Sequence, residues 1–397
     1  MVAQSGGPTV AINASLAGVI DGVMRSDMYD TVYGSLNGIT GILNNDLTNL
    51  SELMQQNSEY LDRLKVTPAM YLGSCRYKLP NYLDDDSSYV FIFKQFETYH
   101  IDAFFYIGGN DSMDTVLKLS EYGKKIGSPV RIVGIPKTID NDLCETDHTP
   151  GFGSAAKYIG TTFAELERDC YVYATKAVTI VEVMGRDAGW LTAASCLARA
   201  NGAKGPDFIY LCEVPFSIDT FLKDVKAKLE EQDAVIIAVS EGVKNKDGRY
   251  ISEEVQSSAV DSFGHSYIAG AAKVLEDAVR NEIGCKVRSI ELNLMQRCAA
   301  HLASATDIQE SRMLGKTACQ YALGGATGMM AAVIRTSDKP YATEFKALPV
   351  CDIANAIKSV PADYINDAGN DVTEKMVDYL TPLIQGEMNT VYENGIP

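Results

Sequence analysis

The sequence has little that could form a structural metal site or a cross-link. Its nine cysteines include no Cys-x-x-Cys pair, and its four histidines are scattered, at His100, His148, His265 and His301. Structural zinc needs cysteine and histidine at close, regular spacings, so the sequence predicts no zinc site. We expect the cysteines to be reduced thiols buried in the interior.

Long hydrophobic runs and positive charge are also scarce. No stretch reaches the roughly 20 apolar residues of a membrane helix, and no basic segment precedes an apolar one at the N-terminus. Lys and Arg number 35 against 52 Asp and Glu, and the net charge of -17 repels nucleic-acid backbones and anionic lipids. We expect a cytoplasmic protein that binds neither nucleic acid nor membrane, while a local basic pocket still suits a small anionic substrate.

Apolar, β-rich runs recur along the chain, each ending in glycine or small polar residues and followed by a helical pattern. They are residues 1–4, 103–107, 130–135, 178–183, 208–211 and 234–239. Strands that are apolar on both faces are typical of parallel sheets covered by helices, so the sequence predicts an α/β protein with doubly wound, mostly parallel sheets. The first run is shorter than a typical central strand of about five residues, and we expect its native strand to begin before Met1.

The chain is long enough for two domains, with 397 residues of which 46% are hydrophobic. The two groups of strands predict two Rossmann-like lobes that meet near residues 149–154. One lobe is expected to comprise residues 1–148 and about 297–345, because the late segment returns the chain to it. The other is expected to comprise residues 149–296 and about 346–397.

Two glycine pairs, Gly6-Gly7 and Gly108-Gly109, each follow a predicted strand and precede a helical pattern. Such turns expose backbone N–H groups beside a helix N-terminus, which suits phosphate, although either pair alone is equally well explained as a tight turn. Neither pair fits the dinucleotide fingerprint, and neither is followed by the Gly-Lys-Ser/Thr of a P-loop. A dehydrogenase is therefore disfavoured.

A second polar segment, residues 138–142, places Asp140 and Asp142 two residues apart after a predicted strand. Alternation points both carboxylates the same way. One carboxylate can accept a proton from an attacking hydroxyl while the other holds Mg²⁺ against phosphate oxygens. Taken in isolation, the segment is also explained as a solvated acidic turn.

Three segments resemble motifs of the phosphofructokinases, in the family's order and spacing. They are Gly-Gly-Asn-Asp-Ser at 108–112, Pro-Lys-Thr-Ile-Asp-Asn-Asp at 136–142 and Met-Gly-Arg at 184–186. Shorter matches extend the resemblance to about residue 330, at 5–7, 73–76, 240–242 and 296–297. The resemblance implies the phosphofructokinase fold, with a phosphoryl-donor lobe that holds Mg²⁺ and a sugar-phosphate lobe.

The resemblance also implies roles for individual residues in phosphoryl transfer to fructose 6-phosphate. Asp140 corresponds to the base that takes the proton of the 1-hydroxyl, and Asp142 corresponds to a magnesium ligand. Arg76 and Thr138 correspond to groups on the transferring phosphoryl. The residues that match the family's sugar-phosphate contacts are Met184, Gly185, Arg186, Glu241, Arg297, and Arg288 from a neighbouring subunit, which implies a homodimer or homotetramer.

The identity of the donor depends on Asp111 and Lys137. ATP-dependent members have glycine at both positions, which leaves room for the nucleotide α-phosphate. A carboxylate at Asp111 excludes that phosphate by size and charge, while Lys137 offers a compact positive charge to a short anion. The pair resembles the pyrophosphate-dependent branch, with Gly7, Gly109, Asn110, Asp111 and Lys137 at the donor.

Three positions depart from the family's pattern. Asn110 stands where an aspartate associated with the metal is usual, which shifts the expected metal ligands to Asp142 and Asp111. Leu294 replaces a histidine near the sugar, and Ala177 replaces a second arginine of the neighbouring subunit, for which Lys176 is the available substitute. The region 345–386 is similar to the tail of pyrophosphate-dependent members and is expected to close the second lobe.

The sequence thus predicts a phosphotransferase that moves a phosphoryl group reversibly between pyrophosphate and fructose 6-phosphate, with Mg²⁺ as cofactor. An ATP-dependent phosphofructokinase is the alternative within the same class. A sugar-phosphate sensor without catalytic activity is the alternative from another class, since a fold alone does not imply an activity.

Overall fold

The computed structural model describes residues 1–57, 59–200, 202–254 and 270–397, so His265 lies outside the described residues. The strands are β1 Val2–Gln4, β2 Tyr33–Ser35, β3 Leu47–Asn49, β4 Ala103–Gly108, β5 Arg131–Pro136, β6 Ala177–Val183, β7 Phe208–Tyr210, β8 Ala234–Ser240, β9 Lys286–Glu291, β10 Met329–Asp338 and β11 Tyr341–Pro349. The α-helices are α1 Ile12–Met24, α2 Ile39–Asn44, α3 Leu50–Gln56, α4 Tyr60–Leu64, α5 Ser87–Thr98, α6 Asn110–Lys125, α7 Phe152–Cys170, α8 Trp190–Ala193, α9 Leu197–Ala200, α10 Ile218–Glu231, α11 Ala271–Glu282, α12 Ala305–Leu323 and α13 Glu374–Leu380.

The strands form two sheets. The first has seven strands in the order β11-β10-β5-β4-β1-β2-β3, and the second has four in the order β7-β8-β6-β9. Within the first sheet, β2, β1, β4, β5 and β10 run parallel, while β3 and β11 add antiparallel edges; the second sheet is entirely parallel. The predicted α/β class and all six predicted strands are confirmed.

Five strands were not predicted, and each lies at or near a sheet edge, where the apolar signal is weak. β9 is largely exposed and carries charged residues, so its sequence resembles a surface loop. β11 alternates between half-buried and exposed positions along an antiparallel pairing with β10. Edge strands bury fewer side chains than central ones, which removes the continuous apolar run that reveals a parallel strand.

Two glycines bring the C-terminal helix α12 onto the first sheet's helix α1. A Cβ at Gly18 would lie 2.1 Å from the Arg312 carbonyl oxygen, and one at Gly315 would lie 2.1 Å from the Ser15 carbonyl oxygen. No larger residue fits at either position without separating the backbones. Because α12 packs so closely on α1, the chain that follows it can join the first sheet as β10.

The tail of the chain divides between the two sheets. Residues 345–349 lie in β11 of the first sheet. Val360, Met376 and Leu380 are buried in one apolar cluster with Phe152 of α7 and Val183 of the second sheet. Among the described residues, no helix is long and apolar enough to cross a membrane.

All nine cysteines are free, in agreement with the predicted reduced thiols. Their predicted burial is only partly right: Cys196 and Cys319 are buried, most are partly buried, and Cys351 is exposed. Cys351 follows β11, at the end of an edge strand, where the chain turns over the surface. The prediction of an interior thiol is therefore wrong for Cys351.

A buried ionic cluster ties the loop after β5 to the C-terminal half of the chain. His148 is 3% exposed; its Nδ1 lies 2.8 Å from Asp147 Oδ2 and its Nε2 lies 2.7 Å from Glu310 Oε2. The Arg335 guanidinium donates to the same Asp147 oxygen at 2.9 Å. Burial alone would lower the pKa of His148, but the hydrogen bonds and charges of the two carboxylates outweigh it and raise the pKa to about 9.

The protonated His148 should make stability depend on pH. Its pKa is higher in the folded chain than the ordinary value of 6.5, so its contribution of about 3 kcal/mol is complete below pH 6.5 and is lost as the pH rises through 9. In denaturant unfolding between pH 6 and 9.5, we expect the stability gap between wild type and His148→Gln to be widest at pH 6 and to narrow with rising pH. His301→Gln, at an exposed site, is the control; a gap that stays constant with pH would contradict the assignment.

Candidate active site

A cavity of about 740 Å³ opens between the two sheets. Turns at the carboxyl ends of β1, β4, β5, β6 and β8 line it, which is the expected position of a ligand site in an open α/β sheet. Its lining includes Gly7, Arg76, Gly109, Asn110, Asp111, Lys137, Thr138, Asp140, Asp142, Met184, Arg186, Glu241 and Arg297. These residues come from seven separate segments of the sequence.

Lys137 lies between the glycine turns of β1 and β4, with its ammonium against the β1 turn and its backbone against the β4 turn. Lys137 is 3% exposed, and its backbone N–H donates to the Gly108 carbonyl at 2.9 Å. Gly6 has φ +85°, and a Cβ there would lie 2.8 Å from Lys137 Nζ, so the turn needs glycine for both its conformation and its space. Burial lowers the pKa of Lys137 to about 8, which leaves most of the ammonium protonated at neutral pH.

The loop 73–76 is tied to the β1 turn by two hydroxyls. Ser74 Oγ donates to the Gly6 carbonyl at 2.7 Å, and Ser5 Oγ donates to the Cys75 carbonyl at 3.1 Å. Arg76 follows directly and lines the cavity. The two contacts therefore place a guanidinium beside the glycine turn, although the residues are about 70 positions apart in the chain.

The loop after β5 carries the two predicted carboxylates. The Asp140 backbone N–H donates to Thr138 Oγ1 at 3.1 Å, and buried Asn141, with φ +55°, accepts from the Thr149 N–H at 3.1 Å. Burial raises the pKa of Asp140 above its usual range, partly offset by the cations Arg297, Lys137 and Arg186. Burial and then the charge of Asp140 raise the pKa of Asp142 to about 7. Asp142 thus suits proton or metal binding near neutral pH, and Asp140 holds a proton more readily than an ordinary aspartate.

The second sheet contributes the opposite wall. The Gly185 N–H donates to Glu241 Oε1 at 3.2 Å, and burial followed by the charge of Asp140 raises the pKa of Glu241 to about 8. Arg186 Nε donates to Asp187 Oδ2 at 2.9 Å. A Cβ at Gly242 would lie 1.9 Å from the Arg186 carbonyl oxygen, so glycine is required where the two turns cross. Hydroxyl-binding and anion-binding groups therefore stand side by side.

Arg297 extends from the short helical turn after β9 to the first sheet. A Cβ at Gly7 would lie 3.5 Å from its guanidinium carbon. The same guanidinium is the leading cation in the field of Asp140. Arg297 is thus placed against the β1 glycine turn rather than in a separate pocket of the second sheet.

The C-terminal segment 355–360, called the strap below, completes the cavity. Asn355 and Ile357 line it, and the Asn110 side chain accepts from the Asn355 N–H and donates to the Ala356 carbonyl, each at 2.6 Å. The Lys358 N–H donates to the Asp142 carbonyl at 2.8 Å. The strap therefore connects the first turn of α6 to the carboxylate loop.

The structure brings together nearly every site residue that the sequence predicted. Gly185 takes part through its backbone next to Glu241. Arg288 does not reach the cavity of its own chain: it is exposed on the edge strand β9, with Asp169 at 3.8 Å. Its predicted action in a neighbouring subunit remains a prediction.

Sequence reasoning missed Asp187, Asn355 and Ile357, which also line the cavity. Asp187 adjoins the Met-Gly-Arg motif, so a charged neighbour of Arg186 was a usable local signal. Asn355 and Ile357 lie in a tail without a recognisable motif, and no local pattern pointed to them. Leu294, noted as a departure, also lines the cavity and is 64% exposed.

The arrangement suits phosphoryl transfer. Lys137, Arg76, Arg186 and Arg297 supply positive charge to one cavity, where anionic oxygens can be held. A buried carboxylate with a raised pKa stands among them as a proton acceptor. No covalent intermediate is required if acceptor and donor are aligned between the sheets.

Comparisons with known proteins agree with this geometry. The family model described as phosphofructokinase matches residues 1–322. A pyrophosphate–fructose 6-phosphate 1-phosphotransferase of Halomonas elongata is 40% identical over 398 residues, which cover 100% of this chain and 94% of the relative. A sulfofructose kinase of Alkalicoccus urumqiensis is 32% identical over 381 residues, which cover 95% of each chain.

A solved structure extends the likeness to three dimensions. The pyrophosphate-dependent phosphofructokinase of Nitrosospira multiformis superimposes with a TM-score of 0.88 at 35% identity, covering 100% of this chain and 94% of that chain. The shared fold includes both sheets, and the family model spans every predicted motif. The strand-end turns, the carboxylate loop and the family match together lead to one assignment: this chain belongs to the phosphofructokinase family.

Proposed function

We propose that the protein transfers a phosphoryl group reversibly from pyrophosphate to the 1-hydroxyl of fructose 6-phosphate, giving fructose 1,6-bisphosphate and phosphate. The observation that carries this proposal is the pair formed by Lys137 and Asp111. The Lys137 ammonium lies buried against the β1 glycine turn, while the exposed Asp111 carboxylate occupies the first turn of α6 in the same cavity. A short anion gains a cation here, whereas a nucleotide meets a carboxylate.

In the proposed reaction, Asp140 takes the proton of the sugar 1-hydroxyl while the oxygen of that hydroxyl bonds to one phosphorus of pyrophosphate. The bond from that phosphorus to the bridging oxygen breaks, and the bridging oxygen leaves with phosphate. Arg76 and Lys137 offset the charge that moves onto the leaving phosphate, and Thr138 contacts the transferring group. The raised pKa of Asp140 makes it a stronger proton acceptor than an ordinary aspartate.

We infer that Mg²⁺ is the metal of this site, held by Asp142 and Asp111. The raised pKa of Asp142, about 7, reflects a carboxylate that burial and its neighbour Asp140 leave poorly compensated, which a divalent cation would relieve. Among the described residues, no cluster of three or more acidic, histidine or cysteine side chains could hold a metal alone. This fits magnesium, which commonly uses one or two carboxylates and takes its other ligands from substrate phosphates and water. When bound, the ion would neutralise phosphate oxygens.

The sugar phosphate is proposed to lie against the second sheet. Glu241 would accept a sugar hydroxyl, and the backbone of Met184 and Gly185 would line the ring. Arg186 and Arg297 would hold the 6-phosphate as guanidinium forks. Arg186 is paired with Asp187, so binding of the sugar would replace the Asp187 carboxylate with the 6-phosphate as the partner of Arg186.

A comparison of donors tests the proposed function. Initial rates are measured with fructose 6-phosphate and Mg²⁺, supplying either pyrophosphate or ATP. We expect turnover with pyrophosphate and at least about a hundredfold lower kcat/KM with ATP, which corresponds to roughly 3 kcal/mol. Preference for ATP would overturn the donor assignment, and absence of turnover with both donors would favour a sensor.

We also propose that two subunits complete each site, with Arg288 of one reaching the sugar phosphate of the other. The support is its position: Arg288 is exposed on the edge strand β9, outside its own cavity, and exposed Val172, Tyr173 and Leu294 lie on the described surface of the second lobe. Light scattering should give a dimer or tetramer, and Arg288→Ala should raise the KM for fructose 6-phosphate about tenfold or more. An active monomer would contradict this.

The division of labour follows the two lobes. We propose that residues 1–148 and about 297–354 form the donor lobe, since β11 runs to Pro349 in the first sheet and Val350 and Ile353 are buried in its apolar cluster. Residues 149–296 and the tail from about 361 are proposed to form the sugar lobe, which shortens the predicted share of the tail. The cytoplasm, where these two substrates would be available, is the proposed location.

A further inference from the structure

The strap, residues 355–360, lies against the donor end of the cavity. Asn355 and Ile357 are exposed toward it, the latter 50% exposed. The Lys358 N–H bonds to the Asp142 carbonyl, and Lys358 Nζ donates to Asn141 Oδ1 at 3.2 Å. The strap is thus anchored to the carboxylate loop on one side.

On the other side, the anchor is Asn110, which uses both the oxygen and the nitrogen of its carboxamide. Its oxygen accepts from the Asn355 N–H and its nitrogen donates to the Ala356 carbonyl, both at 2.6 Å. An aspartate at this position would place a carboxylate oxygen next to the Ala356 carbonyl oxygen, and two acceptors cannot form a hydrogen bond. Only a carboxamide of this length satisfies both strap groups at once. Asn110 is the first residue of α6 and immediately precedes Asp111.

The strap presents no positive charge to the cavity. The cavity's cations, Arg76, Lys137, Arg186 and Arg297, all come from other segments. Lys358, the strap's own cation, turns away: its ammonium donates to the Thr146 and Asp147 carbonyls at 3.0 and 2.8 Å and lies 5.3 Å from the centre of the Trp190 ring. A phosphate chain extended toward the strap would therefore meet an amide and an aliphatic side chain.

We propose that the strap is the end wall of the donor site, held in place by Asn110, and that it limits the length of the phosphate chain that the site accepts. This inference builds on the proposed use of pyrophosphate. Asn110 is a positioning residue in this account, and Asn355 is a specificity-determining one. Donor selection then depends on a tertiary contact between residues 245 positions apart, in addition to the charges of Asp111 and Lys137.

Two variants separate the anchor from the wall. Asn110→Ala removes both strap hydrogen bonds. Asn355→Gly removes the side chain from the cavity, together with its 3.1 Å hydrogen bond from Nδ2 to Asp114 Oδ1 of α6. It keeps the backbone N–H that bonds to Asn110, and glycine suits the φ of +64° found there. Asn49→Ala is the matched control: Asn49 also makes two side-chain hydrogen bonds, to the Ser51 N–H and to Glu52, at the far edge of the first sheet.

The test is calorimetric binding of magnesium pyrophosphate and magnesium tripolyphosphate to the whole chain, with turnover measured separately. We expect wild type and Asn49→Ala to bind pyrophosphate at least about tenfold more tightly than tripolyphosphate. In both strap variants, the ratio of the two dissociation constants should fall by about tenfold. The KM for fructose 6-phosphate should change less than about twofold, because the sugar contacts lie elsewhere.

The outcomes separate this inference from the proposed function. If both strap variants keep the wild-type ratio of dissociation constants, the strap does not limit the length of the phosphate chain, even if the enzyme turns over pyrophosphate. If they lose the ratio, the wall is supported, whether or not wild type transfers the phosphoryl group to fructose 6-phosphate. A lost ratio in Asn49→Ala as well would mean that general destabilisation explains the effect and would overturn the proposal.

Discussion

Replacing Asp140 by Asn is expected to lower kcat by about a thousandfold to ten-thousandfold, the usual contribution of a general base. The amide keeps the shape of the carboxylate but cannot take the proton of the sugar hydroxyl. The KM for fructose 6-phosphate should change far less, because the anionic groups of the sugar are held by arginines. Steady-state kinetics with pyrophosphate would measure both parameters.

Asp187→Asn is the matched control for Asp140→Asn, since Asp187 is a carboxylate of the same cavity that pairs with Arg186. It should alter the KM for the sugar and leave kcat within about tenfold. The wild-type pH profile adds a second readout. Because the pKa of Asp140 is raised, the active carboxylate form is lost on acidification at a higher pH than for an ordinary aspartate. Equal kcat values for both variants would remove Asp140 as the base.

Replacing Lys137 by Met should lower kcat/KM for pyrophosphate by about a hundredfold to a thousandfold. The thioether keeps most of the length of the side chain, so the buried volume between the glycine turns stays filled while the positive charge is lost. A preorganised charge in a site that excludes water contributes about 3 to 4 kcal/mol to such a transition state. Rates at varied pyrophosphate and saturating sugar would show the loss.

Two further variants establish the cause of that loss. Lys375→Met removes an exposed lysine of α13 that pairs with Asp363 at 2.8 Å and is not among the residues that line the cavity, and it should leave the rates with pyrophosphate unchanged. Asp111→Gly combined with Lys137→Gly should also abolish most pyrophosphate activity, because it removes the cation along with the carboxylate. Retained pyrophosphate turnover in both Lys137 variants would mean that the donor is bound elsewhere.

The local part of this site could be predicted from the chain alone. Asp140 and Asp142 follow a buried strand and both line the cavity, as the motif predicts, although they lie in a loop in which Asn141 has φ +55°, so the alternation of a strand is not the cause. The glycine pairs end β1 and β4, and parallel strands bring their carboxyl ends to one edge. The same reasoning recovers the six buried strands, whose apolar runs are continuous. Strands β9 and β11 were not predicted, because strands at a sheet edge have exposed polar positions that interrupt the apolar run.

The protonation and selectivity of the site could not be predicted in the same way. The pKa values of Lys137 and Glu241 both move to about 8 because of burial, which depends on what folds over them. The pairing of Asn110 with the strap joins positions 110 and 355, and no local pattern encodes it. Asn110 looked like a weakened metal ligand, whereas the structure engages both ends of its side chain with the tail.

The sequence by itself determined the α/β class, the strand-end turns and the residue types that meet at the cavity, because each follows from short-range periodicity or from a motif within a few positions. Only the tertiary structure decided how Arg297 reaches the β1 turn, how the strap closes the donor end and which ionisable groups lose their water. Those properties arise from contacts between residues hundreds of positions apart, and such contacts exist only once the two sheets and the tail have packed together.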